Sequence, residues 1–377
     1  MRNETRALFN AYVSQIAALN GVASATDQFN VDPEIEQKLE SVMVENSEFL
    51  AAINVVPVIQ QEGQVLGIQT TRSIAGRTDT SGNTRRQPTD PSGNAEKRRY
   101  LCKETEYDWA RGYAMVDAWR HKSDFEILIR NAILEQQALD RIMVGWYGTS
   151  AAAQTNRTDN PLLQDVNFGW LYKIRTNAPA QVFNDGHLTV YTNGTNNPNL
   201  KKIYVKDGVE LFDGAAAYNA VGGSAHALAD YSSLDALALD AKRLIPEFWR
   251  GRTDLVVIVG HDLVDDKYFN IAQTTGTTAT EVEATDRILR STKQIGGLPA
   301  VRVPFFPGNA ILITTLKNLS IYWQEETRRR QLKDEPEYKR IANYESVNEA
   351  YVVEEYELCV LVENIVVGGA PARSVAP

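Results

Sequence analysis

The sequence predicts an α+β chain whose last strands pair with its early ones. Three observations support this class: an amphipathic helical pattern from Ser123 to about Trp146, strand-like alternation in the C-terminal part, and a polar stretch at 72–99 between two strand-like segments. With 377 residues, the chain has room for two domains or for one domain with large extensions.

Before the polar stretch, the sequence predicts two helices and an extended arm. Residues 5–20 form an amphipathic pattern, and the small, polar residues at 21–30 predict a linker accessible to proteases. The second helix begins at Pro33, with Asp32 as its N-cap. The arm is expected at 54–58, where the sequence is Asn-Val-Val-Pro-Val. The apolar residues at helical spacing in the first helix are Leu8, Phe9, Tyr12, Ile16 and Leu19.

Residues 72–99 contain almost nothing to bury. Only Ile74, Ala75 and Ala95 are apolar, and seven Arg or Lys residues accompany three Asp or Glu, which gives the stretch a charge of +4 in a chain of net charge −9. Alone, such a composition cannot offset the entropy lost on ordering. We therefore expect a long hairpin that extends from its own domain and rests on another molecule. The basic residues expected to make that contact are Arg72, Arg77, Arg85, Arg86, Lys97, Arg98 and Arg99.

The chain returns from this hairpin as a predicted strand from Tyr107 to Trp119, in which aromatic residues alternate with small ones. The helix that follows has the clearest pattern in the sequence, with Ser123 as its N-cap and a length of roughly 35 Å. Its expected apolar stripe consists of Phe125, Leu128, Ile129, Ala132, Ile133, Leu139, Ile142, Met143 and Trp146. The opposite face is expected to carry Glu126, Arg130, Glu135 and Arg141.

A second region begins after a polar break at 149–160. Glycine, asparagine and threonine dominate 183–226, which predicts one or two surface hairpins. A short buried strand is expected at 254–260 and an extended segment at 344–367. The other predicted elements are helices near 168–174, 231–245 and 266–269 and strands at 301–303, 311–313 and 319–323.

No catalytic constellation can be recognised in the sequence, and no cofactor is implied. The two cysteines, Cys102 and Cys359, match no metal or redox spacing and are expected to be buried thiols. The histidines, which also lack ligand-like spacing, are His121, His187, His226 and His261.

Three weaker chemical alternatives remain open. The strand at 254–260 ends in glycine, as nucleotide-binding strands do, but no phosphate-binding glycine motif follows it. Residues 222–226, Gly-Gly-Ser-Ala-His, resemble a nucleophile site but lack its flanking glycine pattern. Asp262, Asp265 and Asp266 suit a cation, although carboxylates at a helix N-terminus explain them more simply.

The distribution of charge argues against sequence-specific recognition of DNA. The chain is acidic, and outside 72–99 its basic residues are scattered, except at Arg328, Arg329 and Arg330. Because acidic residues surround that run, we expect a solvated or subunit-bridging face rather than a phosphate site. No window approaches the roughly 18 apolar residues of a transmembrane helix, and no apolar segment of a secretory signal follows the charged N-terminus.

Ten segments, in order along nearly the whole chain, resemble the major capsid proteins of P2-like tailed bacteriophages. They are MRNETR with FNAY (1–12), NVVPV (54–58), IRNAI (129–133), NPLLQDVNFGWL (160–171), YSSLDAL (231–237), DLVVIVG (254–260), DKYF (266–269), GLPAVRVPFFP (297–307), NLSIYW (318–323) and NYESVNEAYVVEEY (343–356). None has catalytic meaning by itself, so their collinear order carries the resemblance. Residues 183–226 look longer than the family pattern, which suggests a variable surface elaboration.

The resemblance implies an HK97-like phage capsid fold with an N-arm, an extended loop, a peripheral domain built on a long spine helix, and an axial domain. The implied parts are an N-terminal segment at 1–30, the N-arm at 31–60, the extended loop at 61–106, the peripheral domain at 107–165, the axial domain at 166–315 and return strands of the peripheral domain at 316–377. It also implies that a phage protease removes the N-terminal segment, here at the bond between Phe29 and Asn30.

We therefore expect a structural protein, not an enzyme, that assembles into the icosahedral head of a tailed double-stranded DNA phage. The expected partners are other copies of the chain in pentamers and hexamers, a scaffolding protein, the maturation protease and the portal protein, while the enclosed DNA is not bound sequence-specifically. Assembly is expected in the host bacterial cytoplasm, with the chain ending in the virion capsid and no membrane partner. The competing expectations are a nucleotide-binding enzyme that uses 254–260 and a protein that forms tubes or filaments.

Overall fold

The computed structural model of the chain divides into two compact units. The first unit contains residues 1–141, 149–168 and 319–354, and the second contains 142–148, 169–318 and 355–377. Within them, the structure describes residues 2–45, 47–65, 75–79, 81, 85–88, 98–119, 125–187, 191–192, 195–196, 200–205, 229–263 and 293–367. Helices and strands occur in both units, which confirms the predicted α+β class.

The helices match the sequence pattern most closely near the N-terminus. Those of the described residues are α1 (Asn3–Leu19), α2 (Pro33–Glu45), α3 (Glu48–Ala52), α4 (Tyr113–Trp119), α5 (Phe125–Tyr147), α6 (Trp170–Asn177), α7 (Leu234–Lys242) and α8 (Glu247–Arg250). The first two confirm the predicted N-terminal helices. Asp32 caps α2 as expected, because its Oδ1 accepts a hydrogen bond from the backbone N of Glu34 at 2.9 Å.

The strands are mostly short. Those of the described residues are β1 (Phe29–Asn30), β2 (Asn54–Val58), β3 (Glu62–Gln64), β4 (Arg99–Leu101), β5 (Lys103–Glu106), β6 (Trp109–Gly112), β7 (Val182–Phe183), β8 (Tyr191–Thr192), β9 (Thr195–Asn196), β10 (Ile203–Val205), β11 (Val256–Val259), β12 (Gln294–Ile295), β13 (Leu298–Val301), β14 (Ile311–Thr314), β15 (Leu319–Gln324), β16 (Arg329–Glu335), β17 (Arg340–Val353), β18 (Val360–Val362) and β19 (Ile365–Val367). Of these, β11, β14 and β15 confirm strands that the sequence predicts.

A seven-stranded sheet forms the framework of the first unit, and β17 is its central strand. Along the main path the strand order is β1-β16-β17-β15-β2, while β5 and β6 also pair with β17. Early strands therefore pair with late ones, as the sequence predicts. The 14 residues of β17 are rich in β-branched and aromatic types, and its Val347 and Tyr351 are fully buried.

The base of the predicted hairpin belongs to the same unit. Strands β3 and β4 pair antiparallel, with Gly63 opposite Tyr100, whereas the strand predicted at 65–71 lies, apart from Val65, outside the described residues. The Tyr100 ring is buried among Val65, Cys102 and Ala350. Glycine is required at position 63, because an added Cβ would lie 2.6 Å from the Tyr100 hydroxyl oxygen.

The second unit is built on a six-stranded sheet of order β12-β13-β11-β14-β18-β7. Helix α7 packs against it and is capped by Ser233, whose Oγ accepts a hydrogen bond from the backbone N of Ala236 at 3.2 Å. Buried residues shared by the helix and sheet include Leu234, Leu237, Ala238, Ala241, Val257, Val259, Ile311, Ile313, Val360 and Val362. Because β18 lies in this sheet, the compact units divide the segment 316–377 after Glu354.

One local prediction is wrong, and a second holds only in part. The alternating segment from Tyr107 to Trp119 is strand only as far as Gly112, and α4 begins at Tyr113. Short runs of mixed large and small residues suit either period, so alternation alone does not separate strand from helix there. The second concerns residues 21–30, which are mostly exposed, as expected of a linker, but include the buried Ala25 and Phe29.

Helix α5 lies close to the predicted bounds, and the expected cap at Ser123 lies outside the described residues. Its buried face, however, differs from the predicted stripe. The buried residues of its second half are Leu134, Gln137, Ala138, Arg141, Ile142, Val144, Gly145 and Trp146. Ala132, predicted to be buried, is exposed, and Arg141, predicted for the opposite face, is buried.

Candidate functional site

Charged side chains from four parts of the first unit form a buried cluster, which we call the arm cluster. It consists of Glu36 and Glu40 of α2, Arg141 of α5, Arg328 just before β16, and Glu345 and Glu349 of β17. Both guanidinium-bearing side chains are only 1% exposed. Charged groups are rarely buried to this degree unless they are paired, so the contacts between them decide whether the cluster is stable.

The two arginines meet at Glu40. Arg141 donates from Nη1 to Glu40 Oε2 at 2.6 Å and from Nη2 to Glu40 Oε1 at 2.9 Å, and its Nε donates to Glu349 Oε1 at 2.8 Å. Arg328 donates from Nη1 to Glu345 Oε1 at 2.7 Å and from Nη2 to Glu40 Oε1. Two-pronged guanidinium–carboxylate pairs are strong and geometrically specific. The cluster therefore attaches α2 to α5 and to β17 in one defined position.

Glu36 is the member of the cluster without a hydrogen-bonded ion pair. Its Oε1 lies 3.9 Å from Arg328 Nε, and neither of these buried atoms has a hydrogen-bond partner. Its Oε2 accepts a hydrogen bond from the backbone N of Glu326 at 3.2 Å. Burial raises the pKa of Glu36 to about 7, although the nearby Arg328 opposes the shift.

The pKa of Glu40 shifts in the opposite direction to that of Glu36. Burial alone would raise its pKa, but Arg141 and Arg328 outweigh that effect and hold the pKa below its ordinary value. Tyr107 borders the cluster and donates its hydroxyl to Glu349 Oε2 at 3.0 Å. Burial, together with the Glu349 charge, raises the pKa of Tyr107, so this hydroxyl stays a donor. The cluster thus combines ionised pairs with one carboxyl group that favours its protonated form.

Sequence reasoning places both arginines of the cluster wrongly. It predicts Arg141 for the face of α5 opposite the apolar stripe and Arg328 for a solvated or subunit-bridging run, yet both are buried. Charged residues are normally assigned to solvent, and the distant carboxylates that pair with these two cannot be identified from local pattern. One feature of the sequence could have indicated that Arg141 is buried. Gln137 and Arg141 lie one turn apart on the helix face that also carries the apolar Ala138 and Ile142.

The N-terminal segment occupies a second, apolar site on the first unit, which we call the α1 seat. Its buried residues are Ile16, Ala17, Ala25, Phe29, Val31 and Leu332, and Tyr12, Val13, Val22, Ile35 and Leu39 pack around them. Polar contacts supplement the seat, since Thr5 Oγ1 donates to Asp117 Oδ1 at 2.6 Å. Helix α1 therefore packs on α2 and β16 rather than projecting freely.

The predicted cleavage residues lie within the α1 seat. Phe29 and Asn30 form β1, which pairs antiparallel with β16 opposite Arg330 and Arg329. The Phe29 side chain is 8% exposed, and Ala25, in the middle of the predicted linker, is completely buried. The prediction of an accessible linker at 21–30 holds in part: Asn30 and residues 26–28 are exposed, whereas apolar packing and strand pairing hold Ala25 and Phe29 on the sheet.

The basic residues of the predicted hairpin fall into two groups. Those at its base bond within the chain: Arg98 Nη1 donates to the backbone O of Glu354 at 2.9 Å, and Arg99 Nη1 lies 3.7 Å from Glu62 Oε1. Nearer the tip, the described residues Arg77, Arg85 and Arg86 are exposed, while Arg72 and Lys97 lie outside the described residues. Contact of these basic residues with another molecule stays a prediction.

The structure does not favour the chemical alternatives. Gly260, which follows β11, is required by packing, because an added Cβ would lie 2.2 Å from the backbone O of Gly308. In the part of the chain that the structure describes, no three His, Cys, Asp or Glu side chains are grouped to hold a metal ion. Asp265, Asp266 and residues 222–226 lie outside that part. None of the described helices is both long enough and apolar enough to span a membrane.

Comparison with solved structures gives the class of protein. The chain matches a chain of the satellite phage P4 procapsid, solved with its size determination (Sid) protein, with a TM-score of 0.75 and 40% sequence identity. The match covers 98% of this chain and 100% of that one. The fold is therefore that of the HK97-like phage capsid proteins, as the sequence predicts.

Sequence comparison gives the family. The chain is 42% identical over 381 residues to the capsid proteins of Escherichia phage P2, covering 100% of this chain and 99% of the relative. It is 38% identical to the major capsid protein of Serratia phage KSP20, covering 97% of each chain. The family model for the phage major capsid protein of the P2 family matches residues 8–365.

The chain belongs to the P2 family of phage major capsid proteins. It is a structural protein rather than an enzyme, and it forms the icosahedral capsid of a tailed phage. The relatives give no support to a nucleotide-binding enzyme or to a protein that forms tubes or filaments.

Replacing Arg141 with methionine should strongly destabilise the subunit, because Glu40 and Glu349 would stay buried without this partner. We expect a loss of ~3–5 kcal/mol in the free energy of unfolding, measured by urea denaturation. The matched control is Arg130→Met on an exposed part of the same helix, which should change stability by less than about 0.5 kcal/mol. Adding Glu349→Gln to Arg141→Met should recover part of the loss. Wild-type stability in the single variant would contradict the role of the cluster.

The stability of the subunit should fall as the pH rises toward 7, because of Glu36. Between its ordinary pKa of 4.5 and the raised value of about 7, the folded state holds a proton that the unfolded state has released. Stability therefore decreases through this window, by on the order of 1–3 kcal/mol from this group. Urea denaturation at several pH values measures the change.

The variant Glu36→Gln isolates this contribution. It keeps an acceptor for the backbone N of Glu326 but has no proton to lose, so its stability should exceed that of the wild type at pH 8 and approach it at pH 5. Glu34→Gln, at an exposed position on the same helix, is the control: it removes only an exposed ion pair with Lys38, worth about 0.3–0.5 kcal/mol, and should keep the decrease in stability toward pH 7. Parallel pH profiles for wild type and Glu36→Gln would show that Glu36 does not titrate in this window.

Proposed function

We propose that copies of this chain form the pentamers and hexamers of the capsid, with the hairpin that starts at β3 and β4 lying across a neighbouring copy. The contrast within this hairpin carries the proposal: Tyr100 at its base is buried against its own sheet, whereas Arg77, Arg85 and Arg86 are exposed. Exposed basic side chains on a chain of net charge −9 suit the acidic surface of an identical neighbour. Repetition by symmetry stabilises a shell even when each contact is weak.

We assign the parts of the subunit in accordance with this proposal. They are the N-arm at 31–60, the extended loop at 61–106, the peripheral domain at 107–165, the axial domain at 166–315 and the return strands at 316–377. The compact units support a peripheral and an axial body of this kind. We add one refinement, which is that the chain after Glu354 is grouped with the axial body, because β18 pairs with β14 and β7.

We assign the N-terminal segment, 1–30, to assembly. Leu8 and Leu19 of α1 are 51% and 62% exposed, and their separation of eleven residues places them on one side of the helix, about three turns apart. This apolar side suits a scaffolding protein during assembly. A maturation protease then cuts between Phe29 and Asn30, which removes α1 from the capsid.

The remaining partners follow from the same picture. The double-stranded DNA is enclosed without sequence-specific binding, because an acidic wall does not hold phosphate. The portal protein joins the shell as a further partner. Assembly takes place in the host bacterial cytoplasm, and the mature chain remains in the virion capsid.

Deleting residues 78–94 should give a folded subunit that does not form shells. The described residues of this tip are exposed, so the deletion should leave the midpoint of urea denaturation unchanged while it removes contacts to the neighbour. Electron microscopy of the chain expressed with its scaffolding protein measures shell formation. The matched control replaces 78–94 with a glycine–serine linker of equal length, which separates the effect of side chains from that of reach. Normal shells from the deletion would refute the role of the loop.

Mature particles should contain a chain that begins at Asn30. Mass spectrometry of the intact chain and of its N-terminal peptide measures this, with particles from a host lacking active maturation protease as the control. A different N-terminus would refute the assigned bond, and a full-length chain in infectious particles would refute processing altogether.

A further inference from the structure

We infer that helix α1 closes the Phe29–Asn30 bond to proteases, so that α1 must leave its seat before the chain can be processed. This inference rests on the proposed processing at that bond. It concerns the order of events: detachment of α1 comes first, and cleavage follows.

The backbone around the bond is already engaged. Phe29 and Asn30 pair with Arg330 and Arg329 as the outermost strand of the sheet. The hydrogen bonds that extend this pairing are Leu332 N to Ala25 O at 3.0 Å, Val31 N to Arg328 O at 2.9 Å and Gln331 Nε2 to Thr26 O at 2.9 Å. Extended peptides are recognised through these same backbone groups. Asn30 and residues 26–28 are exposed, so the obstacle to a protease is the pairing with β16 together with the burial of Phe29.

The seat of α1 holds this short strand in place. A strand of two residues is below the usual length and has little stability by itself. Ile16 and Ala17 of α1, each 6% exposed, share one apolar cluster with Phe29, Val31 and Leu332. Removing the helix would uncover the Phe29 ring and leave the pairing without its apolar cover.

The ends of the segment are also joined to each other. Asn20 Oδ1 accepts a hydrogen bond from the backbone N of Asp32 at 3.1 Å, and the backbone N of Val22 donates to Ala17 O at 3.0 Å. The segment that contains the bond is thus a closed loop anchored on the C-terminal end of α1. When α1 moves away, this anchor is lost together with the apolar cover.

Cleavage of a protected bond follows the population of the locally opened state when opening is fast. Here the opened state is the one in which α1 has left its seat. Any partner that binds the exposed side of α1, where Leu8 and Leu19 lie, and draws the helix away increases that population. The rate of cleavage therefore depends on what α1 contacts as well as on the protease.

Chymotrypsin tests the inference on the purified full-length chain, without any phage component. It cleaves after aromatic residues, so Phe29–Asn30 is a chemically suitable bond for it. A synthetic peptide of residues 21–36 is the unprotected reference. We expect the bond in the wild-type chain to be cut at least about tenfold more slowly than in the peptide, with mass spectrometry measuring the fragment that begins at Asn30. A tenfold factor corresponds to ~1.4 kcal/mol of protection.

Two variants in α1 form a matched pair. Ile16→Asp places a charge in the seat and should raise the cleavage rate at Phe29–Asn30 at least about tenfold. Ser14→Asp places the same charge at an exposed position of the same helix, outside the seat and away from Leu8 and Leu19, and should leave the rate unchanged. A deletion of residues 2–19 removes the helix entirely and should make the bond as labile as in the peptide. Resistance at bonds near the buried Trp146 and Tyr351 shows that each variant is folded.

Two results would overturn the inference. One is equal cleavage rates for the wild-type chain and the peptide. The other is a bond that stays resistant both in Ile16→Asp and in the deletion of 2–19, since protection would then come from β16 alone. The proposed processing site is tested separately by the N-terminus of mature particles, so a different site there leaves the chymotrypsin result valid.

Discussion

The pairing of Arg141 and Arg328 on the Glu40 carboxylate joins parts of the chain that are far apart in sequence. Glu40 is separated by 101 residues from Arg141 and by 288 residues from Arg328. Removing these charges from water is costly, and only the complete set of partners offsets that cost. The first unit therefore depends on α2, α5, β16 and β17 being in place together. A partial arrangement would leave a buried guanidinium or carboxylate without its partner.

Helices α1 and α2, which follow each other at the N-terminus, are held in place by two different kinds of contact. Charge holds α2 through the arm cluster, whereas apolar packing holds α1 through its seat, and both use the segment around β16. Cleavage at Phe29–Asn30 would remove Ile16, Ala17, Ala25 and Phe29 from the seat but no member of the arm cluster. In the proposed processing, charge would therefore hold the part of the chain that stays, and apolar packing the part that is removed.

Loss of the seat would also change the surface of the subunit. Val31 and Leu332 share their buried cluster with residues that precede the proposed cleavage bond, and Leu39 packs beside them. After cleavage, these side chains would be uncovered on the same subunit whose arm remains attached. An apolar surface that appears only at this stage makes the processed subunit different from its precursor in the contacts it can form.

Much of the fold is predictable from periodicity, and the errors about which residues are buried have one physical cause. Helices α1, α2 and α5 and the buried strand β11 carry strong local patterns, and Cys102 and Cys359 are buried as predicted. The hairpin is predictable from composition, because a polar segment between two strand-like segments has few other arrangements. By contrast, the burial of Arg141 depends on Glu40 and Glu349, which no local pattern connects to it.

The same dependence on distant partners explains the two buried residues within the predicted linker. Residues 21–30 have the small, polar composition of an open loop, yet Leu332 and β16 provide a surface on which Ala25 and Phe29 are buried. Composition predicts how a segment behaves in isolation, whereas residues 21–30 pack against the rest of the first unit. The collinear resemblance supplies the architecture as a whole, but it does not supply contacts such as these.

The hairpin and the rest of the subunit carry net charges of opposite sign. Both signs suit the proposed shell, in which copies contact each other and the inner wall faces DNA. The stretch 72–99 carries +4 within a chain of −9, so the remainder of the chain carries −13. In the proposed shell, attraction between a basic loop and an acidic neighbour favours contact between copies, and it weakens as salt rises. The acidic remainder repels the phosphates of enclosed DNA through the same long-range field. One imbalance of charge therefore draws subunits together and keeps the genome from adhering to the wall that they form.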